Sequence, residues 1–548
     1  MKSTKKNILA STIAFFVGVG GVNAGFAQES VGSDSGYLLE EVIVTANRRE
    51  EKLQDVAMAV TAIDPQEFTS VGLVSLKDVF AYTPGFSSND NAGTANAGTL
   101  VVRGVAPDPN GKGTATVATY LDGVALSSST PFGGGSTMSF DGLLGDIERV
   151  EFLKGPQGTL YGAGAVGGAV RFITRKPSLE KFSGVLAIDG ASITDGDNTA
   201  LYNARFTTPL IEDKLGFTLA GFYEENNGFT DRVDSATGQI IDENNNQYDR
   251  YGISSDLYFV ASDQLTFRLR ALHQKTDGVG VTRQELSPGT TKPLYAPLGN
   301  HQGQWDQVFE SSLYAGTIDY QLDNIRLLST TAYTESESVL DLDLSHLAVP
   351  FHNFSIGPAV LPITTDVLTT EVTGYSRFTQ EIELSSESES DWAWITGLYY
   401  VDEENSFVSQ ALMLPSGLFF QDNNNVAKYE ELAVFGNVTY NLRSDFDVTL
   451  GVRLSRNKVI NTPSSRSTTP LTAHEVSVKE EVKDTVSTYS LALRYRPDEN
   501  TSLYTRVASG YRPGTVDLDP QFGEISEVDS DAIWSYELGV KGSLAEGL

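Results

Sequence analysis

The sequence predicts a mainly β protein, a transmembrane antiparallel β-barrel preceded by a smaller α/β domain. Three observations carry that reading. From about residue 181 onward, apolar and polar residues alternate with the period of two that gives a strand one apolar and one polar face. Short acidic turns such as PLIEDKLG, VASDQLTF and SSESESDW alternate with long polar connections, the rhythm of a spanning barrel rather than a soluble sandwich. Past the N-terminus no window of about 18 apolar residues occurs, so strands and not helices must do any crossing.

The N-terminus reads as a secretory signal peptide over residues 1–27. Lys2, Lys5 and Lys6 form a basic start, ILASTIAFFVGVGGV is the apolar run, and Ala24 or Ala27 offers a cleavage site. Cysteine is absent, which excludes disulfides and thiolate metal sites. A formal net charge of -32 argues against nucleic acid as a partner.

Strand alternation is clearest in three places. Leu432, Val434, Val438, Tyr440 and Leu442 share one face against Glu431, Ala433, Phe435 and Asn437. Phe446, Val448, Leu450, Val452 and Leu454 repeat it. Leu265, Phe267 and Leu269 oppose Arg268 and Arg270. By alternation and turn signals, about 14 strands lie between residue 181 and the end. Trp392, Trp394, Tyr399, Tyr400, Tyr495, Tyr504, Trp534 and Tyr536 suit an interfacial girdle.

Residues from about 37 to 177 have another texture. Val42-Ile43-Val44-Thr45 is an isolated β-branched segment, and LVSLKDVFAYTPGF predicts a short helix ended by Pro84-Gly85. TLVVRGVA and TVATYLDGVAL predict strands, with Asp122-Gly123 as a hairpin turn. Gly162, Gly164 and Gly167 match the G-x-G-x-x-G of a dinucleotide-binding turn, but a strand pattern follows them where that motif needs a helix. Asn110-Gly111-Lys112-Gly113 fails as a phosphate loop, because no Ser or Thr follows the lysine. The glycines instead suit a compact turn between two short strands.

These blocks resemble the TonB-dependent outer-membrane receptor family. Glu40, Glu41, Val42, Ile43, Val44, Thr45 and Ala46 look like its TonB box. Its plug signature is matched by VVRGVA (Arg103, Gly104), YLDGVAL (Asp122, Gly123) and IERVEFLKGPQGTLYGAGAVGGAVRFITRKP. The last block contributes Glu148, Arg149, Glu151, Lys154, Gly155, Pro156, Gly158, Tyr161, Gly162, Gly167, Gly168 and Arg171. The resemblance extends to Tyr536-Glu537-Leu538-Gly539.

It implies an α/β plug (51–177) in the lumen of a barrel (178–548), behind a flexible N-terminus (28–50) that carries the box at 40–46. The implied barrel has roughly 22 strands, so the chain is expected to be incomplete at its C-terminal end. The implied activity is active transport of a scarce nutrient across the outer membrane of a Gram-negative bacterium, powered through the partner TonB. Lipid and lipopolysaccharide are the other expected partners.

A β-branched strand near a free end can add to a partner's sheet edge through main-chain hydrogen bonds, and a proline there would block it. Plug cations Arg103, Arg149, Lys154 and Arg171 are candidates to meet barrel carboxylates Glu381, Glu431 and Glu537. No cofactor and no metal site are expected. No nucleophile elbow, zinc-protease motif or other catalytic constellation is present, so the chain is not expected to be an enzyme. An iron chelate such as a ferric siderophore is the first expected ligand, on family frequency alone, with oligosaccharide, cobalamin and haem as alternatives. His346 and His352 invite the haem reading. An adhesin or a passive channel is the alternative of another class.

Overall fold

The structure is a computed structural model of the full chain. It describes residues 42–64, 76–89, 98–107, 114–130, 144–234, 237–280, 305–343, 367–387, 390–413, 418–467, 474–518 and 525–542. Glu40, Glu41, the leader, and His346 and His352 lie outside the described residues.

A 15-stranded antiparallel sheet dominates. Fourteen of its strands follow one another in a single path from Ser183–Ser192 to Asp531–Gly542, and His474–Ser477 pairs off that path with Phe446–Ser467. One end carries short turns, as between Leu322 and Ile325 or Arg443 and Phe446. The other carries the long connections. Among the described residues no helix is long and apolar enough to cross a membrane.

Alternation puts the apolar residues outside. Leu432, Val434, Leu450, Val452 and Leu454 are exposed on the sheet's outer face, while Glu431, Arg453 and Ser455 are buried on its inner face. An apolar exterior and a polar interior is the arrangement that lipid requires of a barrel wall. Trp392, Tyr400, Tyr495, Trp534 and Tyr536 are exposed outside. Tyr399 and Tyr504 do not belong with them. Each has the opposite parity and is turned inward, Tyr399 accepting from Arg377 at 3.0 Å and Tyr504 donating to Glu537 at 2.5 Å.

Inside the curve of this sheet sits the α/β domain. Its own sheet runs Val60–Ile63, Ile147–Lys154, Gly168–Thr174, Val117–Leu121, Val124–Ala125, with only the contact between Gly168–Thr174 and Val117–Leu121 parallel. The hairpin turn at Asp122 and Gly123 has positive φ at both residues, as its sequence predicts. The short helix forms over Leu76–Tyr82 and buries Leu76, Val79 and Phe80. Phe152 is the centre of this core, with Phe86 edge-on at 4.9 Å and Phe80 at 6.0 Å. Leu272, Leu313 and Ala332 of the surrounding wall join the same apolar cluster, so plug and wall share one core.

Candidate functional site

The N-terminal strand is the first element of the site. Ile43–Val44 pairs with Glu51–Lys52, and Val44 and Ala46 are fully buried against Leu153, Leu160 and Tyr161. Thr45 is held at both main-chain groups. Its amide donates to Glu151 Oε1 at 2.8 Å, and its carbonyl accepts from Arg171. Tyr161 donates its hydroxyl to the Ala46 carbonyl at 2.8 Å. Residues 42–50, expected as part of a flexible segment, lie here packed on the plug. Burying the β-branched Val44 and satisfying the Thr45 backbone fixes them to the plug.

Glu151 organises this grip. It is buried between Arg171 at 2.8 Å and Arg149 at 2.9 Å, and Arg149 also reaches Glu148 at 2.6 Å. Burial alone would raise the Glu151 carboxyl, but Arg171 and Arg149 outweigh it and hold it below the ordinary carboxylate range. Arg149 and Arg171 thus pair within the plug and not with the barrel carboxylates expected for them. Their strands lie side by side, so a plug carboxylate is the nearest counter-charge.

The wall is met just beyond the strand. Arg48 pairs with Glu381 and, at 3.2 Å, with Glu383, and its guanidinium lies 5.2 Å from the Tyr161 ring and 5.3 Å from that of Phe435. Arg49 donates to the Trp394 carbonyl. Glu381 is therefore a plug–barrel carboxylate, but its partner is Arg48, not one of the signature cations. On the other side of the lumen, Arg103 meets Glu537 at 3.0 Å. Burial and then the neighbouring Arg103 lower the Lys154 ammonium, with Glu537 working against them. Lys541 donates to the carbonyls of Leu53 and Val56 at 2.8 and 2.7 Å.

Glu431 requires a correction. It pairs with Arg453 of the adjacent strand at 2.7 Å and accepts from Ser455 at 2.8 Å and Tyr429 at 2.9 Å, all of them barrel residues. The plug faces this cluster with glycine. A Cβ on Gly162, at φ +69, would lie 2.9 Å from Arg453 Nη2, and one on Gly158 would lie 2.7 Å from the Ser509 carbonyl. Gly158–Tyr161 is a short helix where a simple turn is expected, and Arg506 donates to the Pro156 carbonyl at 2.9 Å beside it. Of the glycines that mimic a nucleotide motif, Gly162 packs against the wall, whereas a Cβ on Gly164 or Gly167 would meet the plug's own Ala115 and Thr116 carbonyls at 3.3 and 3.2 Å.

A further anchor joins the expected plug residue Asp122, and the unexpected Asp146, to the wall. Asp122, in the hairpin turn, and Asp146 face Arg205, Arg268 and Arg270 of the wall, with Arg270–Asp146 at 2.6 Å, Arg205–Asp146 at 3.1 Å and Arg270–Asp122 at 3.1 Å. Burial would raise the Asp122 carboxyl, but Arg268 and Arg270 bring it down. The one sequence signal was the pair Arg268 and Arg270 on the non-apolar face of a spanning strand.

A folded plug pinned by charge pairs inside an antiparallel membrane wall defines an outer-membrane receptor of the plug-and-barrel class. A family model described as the TonB-dependent receptor plug domain matches residues 52–169. A second, the TonB-dependent receptor-like β-barrel, matches residues 186–547. The chain belongs to the TonB-dependent receptor family, whose members are outer-membrane β-barrels.

It is similar to the vitamin B12 transporter BtuB of Vibrio vulnificus (strain CMCP6), 34% identical over 307 residues, which is 56% of this chain and 43% of that protein. The match thus spans less than half of that relative's length. Among solved structures, the ferric yersiniabactin uptake receptor FyuA of Yersinia pestis superposes with a TM-score of 0.71 at 18% identity, over 89% of this chain and 70% of that one. The siderophore receptor PiuA of Acinetobacter baumannii gives 0.66 at 16% identity, over 90% and 71%. These two likenesses are of fold.

Proposed function

We propose that this protein imports a scarce solute across the outer membrane, drawing energy from TonB through the segment Val42–Ala46. One observation carries the reading: the strand beginning at Ile43 is tied to the plug through Thr45, and the next residues are tied to the wall through Arg48. Tension on the strand would act first on Thr45 and its partners Glu151 and Arg171, then on Arg48 with Glu381 and Glu383. A segment so placed links an external pull to the element that fills the lumen.

The relative named above is a vitamin B12 transporter, and the structural neighbours include a ferric yersiniabactin uptake receptor, a siderophore receptor and a copper transporter. An iron chelate, the first expectation, has only fold-level likeness in its support. The reading is tested by accumulation of labelled cyanocobalamin, a neutral oligosaccharide and an iron(III) tris-catecholate in whole cells. Uptake of at least one must collapse with a proton uncoupler and with Ile43→Pro. Uptake that survives both would make the protein a passive channel, and surface binding with no energised uptake would make it an adhesin.

A further inference from the structure

We propose that two fastenings of the plug to the wall, one at Thr45–Arg48 and one at Leu126–Thr130, open and close as a unit. The coupling runs through the wall, along a ladder of alternating guanidinium and aromatic side chains. It concerns the plug–wall contact itself and holds whatever the solute is.

The second fastening lies past the hairpin of Val117–Leu121 and Val124–Ala125. There the plug segment Leu126–Thr130 is seated on the wall strands Val367–Ser386 and Trp392–Met413. Tyr375 donates its hydroxyl to the Leu126 carbonyl at 2.7 Å, and Arg377 donates to the Ser127 carbonyl. Glu403 is fully buried. It accepts from the Ser128 hydroxyl at 2.6 Å, the Ser129 amide at 3.1 Å and the Asn405 carboxamide at 2.7 Å. On both strands these residues lie further from the short turn than Glu381, Glu383 and Trp394, which hold Arg48 and Arg49.

Between the two fastenings cations and rings alternate. Arg171, which donates to the Thr45 carbonyl, lies 5.8 Å from the Tyr161 ring. Arg48 lies 5.2 Å from that same ring and 5.3 Å from Phe435. Arg453 lies 5.5 Å from Phe435 and 5.2 Å from Tyr399, whose hydroxyl accepts from Arg377 at 3.0 Å. Each guanidinium has its own carboxylate: Glu151 at 2.8 Å from Arg171, Glu383 at 3.2 Å from Arg48, Glu431 at 2.7 Å from Arg453 and Glu403 at 3.5 Å from Arg377. Pairing of this kind removes the like-charge repulsion that four neighbouring cations would suffer. The three rings belong to the apolar cluster of Val44 and Ala46, where a cation over a ring face is held more strongly than at a wet surface. A guanidinium that moves therefore leaves both a ring and a carboxylate unmatched.

Both ends of the ladder have a second arrangement open to them. At 3.5 Å, Arg377 and Glu403 are far apart for a buried pair, because Arg377 is shared with Ser127 and Tyr399 while Glu403 is shared with Ser128, Ser129 and Asn405. Arg377 Nε is buried with no partner among the described residues. When the plug segment leaves, this pair can close to a two-pronged contact, drawing the guanidinium off the Tyr399 hydroxyl and freeing the ring beside Arg453. At the other end Arg48 Nε is likewise without a partner among the described residues, and Arg48 is held at φ +60. That conformation is strained for a residue with a Cβ and persists only while its surroundings over-determine it. Phe435 and Tyr399 join the two choices, which is the physical requirement for coupling between distant contacts.

The test is hydrogen exchange of the full chain in outer-membrane vesicles, read on peptides that cover Thr45 and Ser129. Glu403→Gln, with Ser128→Ala as the milder variant, should raise exchange at Thr45 about fivefold or more, besides its local effect at Ser129. Arg48→Ala should raise exchange at Ser129 likewise, since coupling is reciprocal. In a Phe435→Leu or Tyr399→Phe background these cross-effects should vanish and the local ones remain. Heat-modifiable gel mobility verifies that each variant folds. Asp122→Asn, which weakens the separate Asp122–Arg270 anchor, should leave Thr45 unchanged. Local effects without cross-effects would overturn the proposal. So would cross-effects that survive Phe435→Leu, which would run through the plug, or a response at Thr45 to Asp122→Asn as large as that to Glu403→Gln, which would be general loosening.

Discussion

The amide of Thr45 and the carboxylate of Glu151 lie 2.8 Å apart, although the two residues are 106 positions distant in the chain. That buried carboxylate and the two arginines beside it hold the strand Ile43–Val44 to the plug, together with the burial of Val44 and the Tyr161 hydroxyl on the Ala46 carbonyl.

Glu151→Gln should loosen the strand. It leaves Arg171 without its carboxylate while Arg149 keeps Glu148, and an uncompensated buried charge costs about 3–5 kcal/mol. Hydrogen exchange at Thr45 should rise well before exchange in Gly168–Thr174. Equal protection in mutant and parent would show that Val44 packing alone holds the strand.

The same pair sets a pH dependence. The Glu151 carboxyl is lowered on folding, so its contribution is fully present above the unfolded-state value of about 4.3. It is lost as pH falls through the lower folded value. The grip on Thr45 should therefore be constant through neutral pH and weaken only in acid, read as cleavage near residues 46–50 by an acid-active protease. Loosening between about pH 6 and 8 would implicate another group.

Arg48→Ala should free the segment from the wall while leaving the Thr45 contacts. Loss of the pairs with Glu381 and Glu383 should raise ligand-free affinity for a TonB periplasmic domain about tenfold. Unchanged affinity would place the restraint entirely at Glu151.

Gly162→Ala and Gly158→Ala should destabilise the plug without harming the barrel. The added methyl meets Arg453 in one case and the Ser509 carbonyl in the other. The guanidinium can shift but backbone cannot, so Gly158→Ala should cost more, within about 1–3 kcal/mol for overpacking. Thermal melts that rank the two the other way would make the positive φ of Gly162 the dominant constraint.

Phe152→Ala should cost about 3–5 kcal/mol of plug stability, since Phe80 and Phe86 both pack on that ring. The barrel should keep its heat-modifiable mobility.

Local chemistry was legible in the sequence, and long-range pairing was not. Period-two alternation is a property of a single strand, so Leu432, Val434 and Leu450 reveal their outward face without any knowledge of neighbours. The Asp122-Gly123 turn and the helix over Leu76–Tyr82 are equally local. Tyr399 and Tyr504 were misplaced because an aromatic near a strand end reads as girdle unless its parity is followed. Glu431 is paired by register with a strand neighbourhood that only folding assembles, so nothing in its flanks could say that Arg453 would claim it. Arg48 sat beside the box but outside the signature, and its role emerged only once Glu381 and Glu383 were brought to it. The glycines announced a close approach of backbone to something: for Gly162 it is the wall's Arg453, and for Gly164 and Gly167 the plug's own Ala115 and Thr116.

The central claim is that the strand at Ile43–Val44 is the handle by which TonB works the plug. The most direct measurement is affinity of a TonB periplasmic domain for outer membranes carrying the parent, Arg48→Ala or Arg48→Ala with Ile43→Pro. Proline removes a main-chain donor and fixes φ, so strand addition at that residue fails. The account predicts enhanced binding for Arg48→Ala that Ile43→Pro abolishes. Equal binding with and without the proline would contradict it.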